Sequence, residues 1–72
     1  MKYDITEIGS DIKRLREGRH LSYKQLSDLI GITPGTIFKW EEGVNEPRLI
    51  NIVAICDVLD VDILDLLKPI QA

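Results

Sequence analysis

The sequence has one cysteine and one histidine among its 72 residues, and these two scarcities remove whole classes of chemistry. A single cysteine, Cys56, forms no internal disulfide. With His20 as the only histidine there is no His/Cys metal spacing and no nucleophile–base pair to assemble. Cys56 sits in an aliphatic run and reads as a buried small hydrophobe, which fits a reducing cytoplasm. Every apolar run is far shorter than the roughly 20 residues of a membrane-crossing helix. The acidic N-terminus MKYDITEIGSD has no signal-type apolar stretch. A cytoplasmic protein without membrane contact, metal, cofactor or small-molecule ligand is therefore expected, and no enzyme. A basic excess is missing too: the formal net charge is −3, opposite to what phosphate neutralisation favours. Repeats, low-complexity tracts and strand-like alternation are also lacking.

What is present is enough for one folded domain spanning residues 1–72. Apolar residues make up 44% of the chain, and the 29% that are charged are interspersed among aliphatics rather than gathered in solvated blocks. Charge is nonetheless unevenly placed. Residues 13–48 sum to +2, with Lys13, Arg14, Arg16, Arg19, Lys24, Lys39 and Arg48, whereas residues 1–12 sum to −2 and residues 49–72 to −3. Such segregation suits a molecule with one anion-facing side and one side turned away.

Helix starts recur along the chain as a polar cap, a partner three residues on, and apolar residues flanking the pair. Asp4 with Glu7, Ser22 with Gln25, and Asp62 with Asp65 follow this pattern. Thr33 has the apolar flanks Ile32 and Ile37, with Thr36 in place of the acid and Pro34 at the first helical position. The expected helices run from Ile5 to Glu17, ended by Gly18; from Tyr23 to Ile30, stopped by Gly31; and from Pro34 to Glu42, terminated by Gly43. A fourth, after Pro47, carries Leu49 to Leu59 and is apolar on most faces, as a central element would be. A short fifth covers Ile63 to Leu67. Only Gly31 and Ile32 separate the second helix from the cap Thr33, so residues 22–43 form a helix-turn-helix within a compact all-α, five-helix domain.

In the third helix, turning Ile37 and Trp40 to the core leaves Pro34, Gly35, Phe38, Lys39 and Glu42 outward. The first turn of such a helix is what a helix-turn-helix presents to base edges in the major groove. Phe38 reads either as a contact for thymine methyl groups or as a ring folded into the core or a protein contact. Gly35 either admits close approach of backbone to DNA or is simply tolerated near a helix end, at a cost of about 1 kcal/mol relative to alanine.

The stretch LSYKQLSDLIGITPGTIFKWEEG closely resembles the helix-turn-helix of Cro and cI-type repressors, the Xre family. The resemblance rests on Leu26, Ile30, Gly31, Ile32, Ile37, Trp40, Glu41 and Gly43, and it continues through Pro47 and Val61-Asp62-Ile63 to cover Ile8 to Leu67. It implies sequence-specific binding of double-stranded DNA by a transcriptional regulator, most simply a repressor acting as a homodimer. It also implies a structural ion pair between Arg16 and Glu41. An antitoxin or restriction-controller role would use the same mechanism. The chain departs from the pattern at the phosphate-binding glutamine, here Tyr23; at a small alanine, here Ser27; and at the base-facing polar positions, here Pro34, Gly35 and Phe38. Thr33, Thr36 and Lys39 remain as hydrogen-bonding side chains, so direct readout is thin.

On the phosphate side, Ser22 and the N–H groups opening the second helix form an anion site, with Tyr23, Lys24, Thr36, Asn45 and Arg48 as neighbours. Each also reads as a solvated surface residue. Asp57, Asp60, Asp62 and Asp65 lack calcium-loop spacing and read as caps and solvated faces. Ile63, Leu64, Leu67 and Ile70, within residues 61–72, are either a two-fold dimer contact, as the resemblance implies, or closure of the core. The alternative function is a helix-turn-helix scaffold used for protein contact, with weak or no specific DNA binding.

Overall fold

The computed structural model describes residues 3–4, 7–66 and 68–69, and its fold is all-α. Four α-helices follow one another: α1 (Ile8–Gly18), α2 (Tyr23–Ile30), α3 (Pro34–Glu41) and α4 (Leu49–Leu59). Where a fifth helix was expected there is one 3-10 turn, Ile63–Asp65. Its cap is complete. Asp62 Oδ1 accepts from the Leu64 amide and Asp65 Oδ2 accepts from the Asp62 amide, each at 3.0 Å. The short aspartate side chains close this box around a single turn. Further on, Pro69 disfavours the helical region for Lys68, and Lys68–Pro69 instead forms strand β2, antiparallel to β1 (Tyr3–Asp4).

That pairing explains a second departure from expectation. With Tyr3 and Asp4 extended and in register with Pro69 and Lys68, Asp4 does not cap α1. The helix starts three residues late, at Ile8, with Glu7 at the cap position. Its end also differs. Gly18 stays inside α1, and His20 takes the left-handed conformation (φ 56°) that turns the chain toward α2.

The central pair follows the sequence closely. Ser22 Oγ accepts from the Gln25 amide at 3.0 Å, and Gln25 Oε1 accepts from the Ser22 amide at 2.8 Å, so the capping box is closed from both sides. Gly31, at φ 75°, reverses direction after Ile30. Thr33 caps α3 through its backbone, while its hydroxyl pairs with that of Thr36 at 2.8 Å. Gly43 (φ 74°) turns the chain out of α3.

Ile8 and Ile12 of α1, Leu26 of α2, Ile37 and Trp40 of α3, and Ile52, Ile55, Cys56 and Leu59 of α4 share one core, which Leu66 closes from the C-terminal side. α4 is not the central element its composition implied. It packs through one face only, leaving Leu49, Ile50 and Val53 exposed, because so small a domain has no further layer to cover a helix on both sides. Among the described residues no helix is long and apolar enough to cross a membrane.

Candidate nucleic-acid interface

The rear of α3 is held by a buried ion pair. Arg16 Nε donates to Glu41 Oε2 at 2.8 Å and Nη2 to Oε1 at 3.1 Å, while Nη1 donates to the Leu21 carbonyl at 2.6 Å. The Glu41 side chain is 1% exposed and that of Arg16 is 9%. Hydrogen bonding to Glu41 is the largest influence on the guanidinium; with the negative charge it outweighs burial and raises the Arg16 pKa above its ordinary value. Two-point contact of this kind fixes orientation as well as distance. α1 and α3 also come into close backbone contact at Gly9, where an added Cβ would overlap the Trp40 carbonyl.

With Ile37, Trp40 and Glu41 committed inward, the outer face of α3 is left exposed. Thr33, Pro34, Gly35, Phe38 and Lys39 are all exposed. A Cβ at Gly35 would meet nothing within 4 Å, so packing does not require its bare backbone. Phe38 is 47% exposed, which excludes the reading that folds it into the core. Its ring meets that of Tyr23 edge to face, with centroids 6.0 Å apart and planes at 84°. The Arg16 guanidinium lies over the Tyr23 ring, 4.2 Å from its centroid. This three-residue stack was missed in the sequence. Its members are far apart along the chain, and only the resemblance marked Arg16.

The phosphate-side residues divide into two groups. Ser22 and Gln25 satisfy two donors at the start of α2, the amides of Gln25 and Ser22, and the other first-turn amides of a helix have no partner within it. Lys24 pairs with Asp28 at 3.0 Å across one exposed helical turn. Thr36 is half-buried and its hydroxyl is shared with Thr33. Asn45 and Arg48 are exposed in the segment between α3 and α4. Ser27, at the position of the resembled alanine, is fully buried and donates its hydroxyl to the Lys24 carbonyl at 2.8 Å, so the extra oxygen is satisfied without a neighbour having to move.

Of the dimer residues suggested by the resemblance, Leu64 is exposed and Ile63 is half-buried against the core. Leu67 and Ile70 lie outside the residues whose side chains are described. Core closure falls to Leu66. Cys56 is buried as expected, and that burial, followed by the charges of Asp65 and Asp62, raises its thiol pKa. Among the described residues no three His, Cys, Asp or Glu side chains converge as a metal site would need.

A helix-turn-helix family model matches residues 12–66, from the second half of α1 through α2, α3, α4 and the terminal 3-10 turn. The chain belongs to the helix-turn-helix family, in its Cro/cI (Xre) branch. Among solved structures, this helix-turn-helix chain superposes on the P22 c2 repressor protein in complex with a synthetic operator at a TM-score of 0.79, with 26% identity over 85% of this chain and 92% of that one. It also superposes on hydroxypropylphosphonic acid epoxidase from S. wedmorenis at 0.81, with 30% identity over 99% of its own length. A cobalt form of that enzyme, HppE in complex with substrate, gives 0.80 and 31%. The chain spans 38% of each of these two HppE chains. No curated protein matches the sequence.

Proposed function

We propose that this helix-turn-helix domain binds duplex DNA sequence-specifically, with α3 in the major groove, and regulates transcription as a repressor occupying an operator. The observation that carries the reading is the division of α3. Its inner side is locked by Ile37, Trp40 and the Arg16–Glu41 pair, while Thr33, Pro34, Gly35, Phe38 and Lys39 stand free on the outer side. Likeness to a repressor in complex with operator supports it. In this reading the molecule is a cytoplasmic homodimer without catalytic activity. The exposed Leu64 and the neighbouring Ile63, Leu67 and Ile70 provide its two-fold contact. The two recognition helices would then sit one DNA turn apart, roughly 34 Å, on a palindromic site. Phosphate contact falls to Ser22, Tyr23, Lys24, Thr36, Asn45 and Arg48.

A second reading is favoured by one observation, the likeness to a segment of a much longer epoxidase chain. In this second reading the helix-turn-helix of the present chain serves as a scaffold for protein contact, consistent with the net charge of −3. Selection of bound duplexes from a random library at moderate salt separates the two. An enriched palindrome is the result expected of a dimeric reader, and folded protein that enriches nothing moves the assignment to protein contact.

A further inference from the structure

The contacts around Tyr23 close a ring. Glu41 on α3 holds Arg16 of α1 at two points, the Arg16 guanidinium covers the Tyr23 ring at the start of α2, and Tyr23 meets Phe38, which lies on α3 three residues before Glu41. All three helices are tied into this circuit. Phe38 is the one member that projects from the outer face of α3. A lone phenylalanine on an exposed helix face has several rotamers to choose from, and ordering it on contact costs entropy. Packed edge to face against a ring that is itself pinned by a fixed guanidinium, it is ordered beforehand. The half-buried Tyr23 ring and the exposed Phe38 ring together form an apolar pair joining the first turn of α2 to the middle of α3. Close by, the Thr33 and Thr36 hydroxyls are occupied with each other and Gly35 has no side chain, so hydrogen-bonding competition beside this pair is low.

We propose that Tyr23 is a positioning residue for Phe38, and that the pair forms a seat for the 5-methyl group of a pyrimidine in the bound duplex. This rests on the duplex-binding reading above. In it the Tyr23 ring has a role separate from any hydroxyl–phosphate contact, and the sequence preference of the domain includes a methyl-specific component that depends on a residue outside the recognition helix.

The test uses the full chain and its own selected duplex, with each thymine replaced singly by uracil, which removes only the 5-methyl group. For the unaltered protein, one thymine per half-site should show about a fourfold loss of affinity on replacement, the value of one buried methyl. Tyr23→Phe should keep that ratio. Tyr23→Leu and Phe38→Ala should bring it close to one while retaining helicity, whatever either does to overall affinity, because the ratio compares two duplexes on the same protein. Should Tyr23→Leu fail to fold, proton spectra of the wild-type complex decide instead: the seated thymine methyl should move upfield in the ring current. A Tyr23→Leu ratio equal to that of the wild type, a selected site with no sensitive thymine, or a methyl signal that does not move would each overturn the seat while leaving duplex binding intact. Absence of any selected duplex would overturn both.

Discussion

At the scale of single residues, two glycines in helices have opposite significance. A side chain at Gly9 would run into the Trp40 carbonyl, whereas one at Gly35 would project into open space. Gly9→Ala should therefore destabilise the domain by about 1–3 kcal/mol, the usual cost of overpacking. Gly35→Ala should stabilise it by up to about 1 kcal/mol through helix propensity; urea titrations of both variants check the pair. Nothing local in the sequence marks Gly9, because the backbone that makes it necessary belongs to Trp40, 31 residues downstream on α3. The Arg16–Glu41 pair makes a second residue-scale case. Glu41→Ala leaves a guanidinium buried without its carboxylate and should cost about 3–5 kcal/mol, whereas Arg16→Met with Glu41→Leu should recover much of the loss. Cys56 makes a third. Its thiol pKa is raised in the folded state, so the stability this contributes is complete below the unfolded value and is lost as pH rises through the folded one. Thiol alkylation at mildly alkaline pH should accordingly be slow in the native protein, fast in urea, and limited by unfolding.

At the scale of elements, the boundaries of α2 and α3 were legible because their signals are local. Ser22 with Gln25, Gly31, Pro34 and Gly43 each act within a few residues of where they stand. The start of α1 and the nature of the last turn were not legible. The first follows from Tyr3–Asp4 pairing with Lys68–Pro69, a long-range contact that no local pattern announces, and the second from how tightly the short Asp62–Asp65 box closes. The candidate site divides in the same way. The outer face of α3 followed from helical spacing, and the Arg16–Glu41 pair from the resemblance, but the Tyr23–Phe38 contact between helices was hidden. The ends of α1 and α4 carry a further consequence. His20 and Asp60 adopt left-handed backbone, at φ 56° and 54°, where glycine is at ease and other residues are strained. Asp60→Gly, at the C-cap of α4, should raise stability, because relief of a left-handed strain worth roughly 1–2 kcal/mol for L-residues exceeds the roughly 0.5–1 kcal/mol entropic cost of glycine; a higher melting temperature checks it.

At the scale of the whole molecule, an acidic protein reads as a DNA binder only if its cations are gathered. The +2 balance of residues 13–48 against the acidic flanks meets that condition along the sequence. Affinity should fall as salt rises, with a slope set by the number of phosphates contacted. Arg48→Ala should weaken binding uniformly across duplexes and lower the salt slope by about one, the share of a single phosphate contact; titrations at several salt concentrations read both. The buried pair between α1 and α3 bears on how quickly this molecule comes apart. Its partners stand 25 positions apart in the chain and lie in the dry interior. Stripping water from either charge is unfavourable until the other has arrived, so the bond forms on the native side of the folding barrier. Cutting it with Glu41→Ala should leave the refolding rate nearly unchanged and hasten unfolding by almost the whole loss in stability, which makes this salt bridge the setting for the lifetime of the native state.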